Sequence, residues 1–317
     1  MKLLLRLLLA LLAIAASLYA YFVYAPKPAQ PTLGATLQSD HIQVGALQRH
    51  YSYYIPKNLP ANAPLVFVLH GSLQTREDIR AYTGYEFERL ADAHGFAVVY
   101  PQGFENNWND CRKVADYAAR KQNIDDKGFI SALIKRFAEQ QHTDSHRVFL
   151  TGYSSGAQLG FRLALENPGL LAGIGAVAAN LPTLDNLACQ PSDKAVSMLV
   201  INGTDDPINP YRGGVVTLFG LGNRGMVRSA QDTALYFAGL AGYDKPSLNA
   251  PTETANVHLQ QWQAQGQHEV ALYSLLGGGH VVPQPLFRAP RMLGANVPGF
   301  NAPQTIWAFF ARQPAQP

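Results

Sequence analysis

Charged residues are scarce in this sequence. Of its 317 residues, 15% are Asp, Glu, Lys or Arg, against roughly 25% in an average soluble domain. The net charge is +3, and no run of Lys and Arg occurs. Nucleic acid is therefore not an expected partner. Hydrophobic residues make up 47% of the chain, which is enough for a sizeable core, and α/β folds of this length often form a single domain.

Cysteine is almost absent as well. Cys111 and Cys189 are the only two, and they do not form a CxxC pair. This argues against a zinc-type site, and we expect no metal. Two cysteines in an exported protein most often pair. We therefore predict a Cys111–Cys189 disulfide, although the spacing alone does not establish it.

The N-terminus contains a long run that is uncharged and almost wholly apolar. Lys2 and Arg6 precede 19 residues without charge, from Leu7 to Ala25. This length is close to what a bilayer-spanning helix needs, and the aromatic end at residues 19–24 is typical of a membrane interface. An uncleaved signal anchor is slightly favoured over a cleaved signal peptide, and both remain open. Either one exports the rest of the chain to a periplasmic or extracellular location, with inner-membrane anchoring by residues 7–25 in the first case.

The rest of the chain reads as a linker followed by one globular domain. Residues 26–40 contain three prolines and few large apolar groups, so we predict an extended linker, and we begin the domain at residue 41. Predicted strands cover 50–55 (an edge strand), 65–69, 97–100, 147–151, 174–178, 197–201 and 268–276, and predicted helices cover 76–94, 124–141, 155–166, 228–241 and 303–312. Buried strands that alternate with helices predict an α/β fold, with a mostly parallel sheet covered by helices on both faces.

One short motif points to chemistry. Gly152-Tyr153-Ser154-Ser155-Gly156 matches G-x-S-x-G. A buried strand precedes it and a helix follows, which is the setting of a nucleophile elbow. The central Ser154 is therefore the candidate nucleophile, and the backbone N–H of Ser155 is a candidate oxyanion donor. A plain strand-to-helix turn with a capping serine is the alternative.

A serine nucleophile needs a base that is oriented by an acid, and on this kind of fold they follow in the order Ser, Asp, His. Asp206 lies in the loop after a buried strand and before a proline, which favours it over Asp205. His280 ends a strand on a glycine-rich turn that we expect to be flexible, so it is the candidate general base and acid. His258 and His268 lie in polar surroundings, and we interpret both as surface residues.

Further residues complete the predicted site. The loop after the early central strand, His70-Gly71-Ser72, is expected to supply a second oxyanion donor from the Ser72 N–H, with His70 as a structural turn residue. Trp108 is a candidate for lining the substrate pocket because it follows a central strand, with packing as an equal alternative. Tyr153 shapes the same pocket or packs below it. The glycine-rich segment 211–227 is either a lid or a buried connection.

Six segments occur together in an order that resembles a known family: PLVFVLHGS, FAVVYPQG with NWNDC, DDKGF, RVFLTGYSSGAQ, INGTDDPINPY and GGGHVVPQP. They resemble the polyhydroxybutyrate depolymerase and feruloyl esterase group of α/β-hydrolases over about residues 45–312. The resemblance implies an α/β-hydrolase catalytic domain at 41–317, the triad Ser154, Asp206 and His280, oxyanion donors Ser72 and Ser155, and secretion. The sequence departs from the family at Ser155 and Ala157, and at residues 281–283, which affects the choice of ester.

The leading hypothesis is ester hydrolysis through an acyl-enzyme, without a cofactor. The expected substrates are hydroxyalkanoate oligomers, hydroxycinnamates or short-chain esters. A peptidase or acyltransferase on the same fold is the second interpretation. A membrane-tethered binding protein without turnover is the third, and the presence of all three triad residues argues against it.

Overall fold

The computed structural model describes residues 2–316. Twelve strands are found there: β1 Gln38–Val44, β2 Leu47–Tyr54, β3 Ala63–Leu69, β4 Ala97–Pro101, β5 Thr143–Tyr153, β6 Gly173–Val177, β7 Met198–Gly203, β8 Gly214–Val215, β9 Met226–Val227, β10 Leu248–Pro251, β11 Val257–Trp262 and β12 Val270–Leu275. The α-helices of the same residues are α1 Lys2–Phe22, α2 Arg76–Tyr82, α3 Glu86–His94, α4 Ala118–Lys121, α5 Asp126–Gln141, α6 Ser155–Glu166, α7 Ala230–Leu240 and α8 Ala302–Ala311.

Ten of the strands form one sheet, in the order β1-β2-β4-β3-β5-β6-β7-β12-β11-β10. The six from β4 to β12 pair in parallel, and antiparallel pairs flank them at both edges. Every residue of β3 is buried, as the continuous apolar run predicts. The predicted α/β-hydrolase fold, with a mostly parallel sheet, is confirmed.

Helices cover both faces of this sheet. On one face, apolar side chains of α5, α6 and α7 pack against the strands. On the other face, apolar side chains of α2, α3 and α8 do so. The sheet lies between the two layers, so the carboxyl ends of its parallel strands form a common edge, where loops bring side chains together.

Several predicted bounds differ from the structure. The strand predicted at 50–55 is not an edge strand, because β1 pairs outside it. The single helix predicted at 76–94 is two helices, since Thr83 ends the first and Tyr85, with a φ of 56°, begins the second. The strands β10 and β11, beyond β12, were not predicted. Their side chains are mostly half-buried or exposed, so they lack the apolar run of a central strand.

The segment predicted as a linker is partly attached to the domain. Strand β1 begins at Gln38, within residues 26–40. Leu33, Ala35 and Leu37 pack against the core on the face of α3 and α8. The backbone N–H of Gly34 donates to Asp92 at 2.8 Å. Further upstream, Lys27 Nζ donates to Asp78 on α2 at 2.6 Å. The chain therefore contacts the domain from about residue 27, before the predicted domain start at residue 41.

Two features bear on the predicted export. Helix α1 is long and apolar enough to cross a membrane, with a mean hydropathy of 2.3 over its most apolar window, and it buries none of its residues. Cys111 and Cys189 form a disulfide with their Cα atoms 5.1 Å apart, which confirms the predicted pairing. Such bonds are typical of proteins in oxidising compartments.

Candidate active site

Ser154 lies at the sharp turn between β5 and α6. Its φ and ψ are 53° and −114°, a combination that costs a non-glycine residue energy and that occurs mainly at functional sites. Its N–H donates to the carbonyl of Val177 on the neighbouring strand at 2.8 Å. The turn therefore raises the Ser154 side chain above the carboxyl edge of the sheet, as an elbow does.

The two glycines of the motif are required by close backbone contacts. A Cβ atom on Gly152 would lie 2.2 Å from the carbonyl carbon of Gly156. A Cβ on Gly156 would lie 2.7 Å from the carbonyl oxygens of both Leu69 and His70. These contacts involve backbone atoms, which cannot rotate away. The motif thus packs the start of α6 directly against the end of β3 and the loop that follows it.

His280 and Asp206 complete a hydrogen-bonded chain with Ser154. The Nε2 atom of His280 lies 2.9 Å from Ser154 Oγ, and its Nδ1 lies 2.7 Å from Asp206 Oδ2. The other carboxylate oxygen of Asp206 accepts from the N–H groups of Ile208 and Asn209 at 2.8 and 2.7 Å. Asp205 is exposed on the same loop. The structure therefore brings Asp206, not Asp205, against the histidine.

The loop that carries His280 is held by backbone hydrogen bonds. The N–H of Gly279 donates to Ala295 O at 2.9 Å, and that of His280 donates to Leu293 O at 2.6 Å. The carbonyl of His280 accepts from the Tyr153 hydroxyl at 2.8 Å. In this conformation, backbone hydrogen bonds therefore hold the glycine turn next to the imidazole, which does not support the expectation of a flexible turn.

Tyr153 does not lie where a pocket residue would. It is buried, its ring centroid is 5.1 Å from that of His280, and it also contacts Tyr82. Burial raises the pKa of its hydroxyl well above the ordinary value. It therefore remains protonated and donates to the His280 carbonyl. Of the two sequence-based interpretations, packing below the site is the one that the structure supports.

The predicted oxyanion donors lie at the two sides of the elbow. Ser155 is the first residue of α6 and is fully buried, and an N–H in a helix's first turn has no partner within the helix. Ser72 follows β3. Its neighbours Gly71 and Leu73 donate their N–H groups to Gln74 Oε1 and Asn106 O. The Ser72 N–H has no such acceptor within residues 2–316.

His70 supports the Ser72 loop from below, as predicted for a structural residue. It is fully buried. Its Nε2 accepts from the Gly103 N–H at 2.9 Å, so its Nδ1 carries the proton and donates to Gly71 O at 2.7 Å. Burial lowers the pKa of His70 from 6.5 to about 4, although the Gly71 carbonyl acts in the opposite direction. His70 is therefore neutral near pH 7.

Trp108, a candidate pocket residue by sequence, is fully buried instead. Its indole N–H donates to the carbonyl of His70 at 2.9 Å, and its ring lies 4.8 Å from the imidazole. A residue without solvent exposure cannot contact substrate in this conformation. Trp108 packs beneath the Ser72 loop, and the assignment to the pocket wall is corrected.

The remaining histidines stay away from the triad. His258 lies on β11 and His268 just before β12, and both are half-buried rather than fully exposed. His142 and His146 have the HxxxH spacing of some metal sites. His142 caps the C-terminal end of α5, and His146 lies on β5. Residues 2–316 contain no group of three or more His, Cys, Asp or Glu side chains that could hold a metal ion.

Segment 211–227 reaches the Ser72 loop. Its strands β8 and β9 pair as a short hairpin, and Val216 and Val227 pack with Ile208 in a small cluster. At the end of this segment, Arg224 Nη1 donates to Ser72 Oγ at 2.8 Å. Arg224 was not among the predicted site residues, and only the glycines around it indicated a special loop.

A cavity of about 990 Å³ lies between α1 and residues 281–301. Neither Ser154, Asp206 nor His280 lines it. We therefore do not assign it to the substrate.

Comparison with known proteins places these residues in a family context. Residues 49–183 match the family described as Esterase PHB depolymerase. This confirms the resemblance seen in the sequence. The matched part includes Ser72 and Ser154 but ends before Asp206 and His280. The acid and base are therefore supported by the geometry above and not by the family match.

Named relatives are esterases and depolymerases. Acetylxylan esterase A of Talaromyces purpureogenus is 28% identical over 304 residues, covering 84% of this chain and 75% of that protein. Poly(3-hydroxyalkanoate) depolymerase C of Paucimonas lemoignei is 32% identical over 126 residues, covering 39% of this chain and 30% of that protein. The chain spans 54%, 75% and 30% of the length of three curated relatives. These names support a carboxylic ester hydrolase.

A solved structure shares the fold. The acetyl xylan esterase from Aspergillus awamori superposes with a TM-score of 0.56 at 20% identity, covering 79% of this chain and 96% of that chain. At this identity the likeness establishes the α/β-hydrolase fold alone.

Proposed function

We propose that this protein is a serine carboxylic-ester hydrolase with Ser154, His280 and Asp206 as its triad. The observation that carries the proposal is the continuous hydrogen-bonded chain from Ser154 Oγ through His280 to Asp206, with contacts of 2.9 and 2.7 Å. A nucleophile, a base within hydrogen-bond reach and an acid that orients the base are the parts that nucleophilic acyl transfer requires.

The geometry supports the following sequence of steps. His280 Nε2 accepts the Ser154 proton as Oγ attacks the ester carbonyl, and the N–H groups of Ser72 and Ser155 stabilise the oxyanion. His280 then protonates the leaving alcohol, which leaves an acyl-enzyme on Ser154. Water, activated by the same imidazole, releases the acid. Asp206 keeps the Nδ1–H tautomer throughout, because it accepts from that atom.

The proposed substrates are hydroxyalkanoate oligomers, hydroxycinnamates or other short-chain esters. The family description and the name of the Paucimonas relative support the first class. Two relatives named for acetylxylan support a small acyl group on a carbohydrate alcohol. The chemistry requires neither a metal nor an organic cofactor.

The proposal also includes where the domain works. An apolar helix that could span a membrane and a disulfide support export to a periplasmic or extracellular space. Residues 1–25 would be either a signal peptide or an anchor in the inner membrane, with the rest of the chain as one α/β-hydrolase domain behind a proline-rich connection.

Ester hydrolysis by the full chain in mild detergent tests the function. The panel is p-nitrophenyl butyrate, methyl ferulate and a 3-hydroxybutyrate trimer, with Ser154→Ala as the variant. We expect turnover of at least one ester, with a loss of at least about a thousandfold in the variant. Ser155→Ala is the matched control, because it keeps the backbone N–H. Equal activity of Ser154→Ala and parent contradicts the proposal, and an inert parent favours the binding-protein, peptidase or acyltransferase alternatives.

A further inference from the structure

Arg224 is a buried cation next to the predicted oxyanion loop. Its side chain is only 7% exposed. Within residues 2–316 it makes one side-chain hydrogen bond, from Nη1 to the neutral Ser72 Oγ at 2.8 Å. A guanidinium has five N–H donors, so most of them have no protein acceptor here. Its other nitrogens are not among the fully buried unpaired atoms of these residues, so they still face a solvent-accessible space.

No carboxylate in the described residues neutralises this charge. Arg224 forms no ion pair within 4.0 Å there. The nearby carboxylate, Asp110, already accepts from Arg112 Nη2 at 2.6 Å, from Arg112 Nε at 3.2 Å and from the Tyr117 hydroxyl. Arg112 and Arg224 therefore lie near a single buried carboxylate, that of Asp110, and the three side chains together carry a net charge of +1. Burial and the like charge of Arg112 lower the pKa of Arg224.

The guanidinium carbon of Arg224 lies 5.7 Å from the centroid of the Tyr117 ring, a contact that stabilises a cation but does not neutralise it. A buried cation without an anion is costly, so an arginine is rarely kept in this state without a further partner. Hydrogen bonds to its backbone also hold Arg224 in place. Its N–H donates to Val216 O at 2.9 Å, and its carbonyl accepts from Asn186 Nδ2 at 3.0 Å. Asn186 in turn accepts from the Lys113 N–H at 2.8 Å, close to Cys111 of the disulfide.

The position of the guanidinium decides what it can bind. It contacts the side chain of Ser72, whose backbone N–H is the proposed oxyanion donor. A group held by Arg224 is therefore a few bonds from the ester carbonyl that Ser154 attacks. The planar guanidinium binds a carboxylate through two parallel hydrogen bonds, a geometry that a neutral group does not match.

We propose that Arg224 binds a free carboxylate on the substrate, so that the preferred substrates are esters that carry an acid group close to the scissile bond. A linear hydroxyalkanoate oligomer with its terminal carboxylate is of this class. The inference deepens the proposed function and rests on it. It makes Arg224 a specificity residue that contacts substrate, in addition to any effect on Ser72.

Two matched ester pairs test the proposal with the full chain in mild detergent. The first pair compares 3-butanoyloxybutanoate, which carries its free carboxylate on the alcohol side of the ester, with the primary amide of the same compound. The second pair compares monomethyl glutarate, which carries the carboxylate on the acyl side, with the corresponding primary amide. Hydrolysis is followed by titration of released acid. The variants are Arg224→Gln, Arg224→Lys and Ser72→Ala, which keeps the Ser72 N–H and Arg224.

For at least one pair, we expect the parent to prefer the acid over the amide. Arg224→Gln should reduce this preference about 10- to 100-fold, chiefly through KM for the acid, because a hydrogen-bonded charge pair is lost. Arg224→Lys should restore part of it. Ser72→Ala should change kcat/KM for acid and amide by the same factor.

Two results would overturn the inference while the esterase assignment stands. One is a parent without preference for the acid in either pair. The other is Arg224→Gln lowering acid and amide equally, as a residue that only positions Ser72 would. The proposed function is decided separately, by the panel of p-nitrophenyl butyrate, methyl ferulate and hydroxybutyrate trimer with Ser154→Ala. If the parent hydrolyses none of the present four esters, binding is measured in place of turnover. Calorimetric binding of both acids to Ser154→Ala, with and without Arg224→Gln, then decides on Arg224, since a carboxylate site must lose affinity.

Discussion

Acidification should destabilise this fold through His70. In the folded protein the buried imidazole is neutral, with a pKa of about 4 against an ordinary value of 6.5. Its Nε2 must stay unprotonated to accept from the Gly103 N–H at 2.9 Å. Between pH 6.5 and 4 the unfolded chain therefore binds a proton that the folded chain does not. Stability increases with pH where the unfolded state binds more protons, so it falls as the pH drops through this window.

The size of the effect follows from the shift. A difference of 2.5 units corresponds to about 3 kcal/mol once the pH is below 4. Between pH 7 and pH 5, the same linkage gives a loss of about 2 kcal/mol. This is a large part of the 5 to 15 kcal/mol by which domains are typically stable.

Urea unfolding of residues 26–317 at pH 7 and pH 5 measures the effect, because α1 buries no residue and its removal leaves the core intact. His70→Gln keeps an acceptor for Gly103 but cannot be protonated, so its unfolding free energy should fall by about 2 kcal/mol less than that of the parent over this interval. His50→Gln, at an exposed position, controls for the loss of a histidine. The same pH slope in His70→Gln and parent would refute the reasoning.

Two further outcomes are expected. Asp206→Asn should lower kcat on p-nitrophenyl butyrate about 10³- to 10⁴-fold because the tautomer of His280 is no longer fixed. In the control Asp205→Asn, kcat should stay within about twofold of the parent value. If Asp205→Asn were the more damaging change, Asp205 would be the acid of the triad. The double variant Cys111→Ser, Cys189→Ser should lose about 2 to 4 kcal/mol in urea unfolding, since the bond closes a loop over a sequence separation of 78; an unchanged midpoint would contradict this.

The predicted triad could be read from the sequence because each member has a local signature. Ser154 stands in a five-residue motif, and Asp206 and His280 each follow a continuous apolar strand. Arg224 has no such signature. Its contact with Ser72 joins residues 152 positions apart, and it depends on how a glycine-rich hairpin packs. Spacing along a chain does not encode that packing.

The aromatic residues of the site show a second limit. Trp108 lies in the loop after β4 and Tyr153 is the last residue of β5. Ligand-contacting residues are common at such positions, but both of these side chains are buried. Their polar atoms hold backbone carbonyls of His70 and His280. A sequence indicates that an aromatic residue is near a site, but whether it faces the cavity or supports the loop beneath depends on the side-chain direction, which is set by packing.

The central strands of the sheet could be predicted from the sequence, and the strands at its edges could be predicted less well. Central strands such as β3 are buried on both faces and appear as unbroken apolar runs. Strand β1 is mostly exposed and polar, so nothing in its composition separates it from the proline-rich segment before it. It is a strand because β2 offers it a partner, which is a tertiary effect.

The contacts of residues 27–37 with the domain shorten the connection to any membrane anchor. Lys27 Nζ donates to Asp78 on α2 at 2.6 Å, so for a copy held in a bilayer by α1 only about four residues after Phe22 are left to span from the membrane to the domain. Four residues reach at most about 14 Å when fully extended. The proposed active site would then stay close to the membrane that holds the helix. Soluble oligomers would reach it there by diffusion. A large insoluble particle would not come within reach of many anchored copies at once.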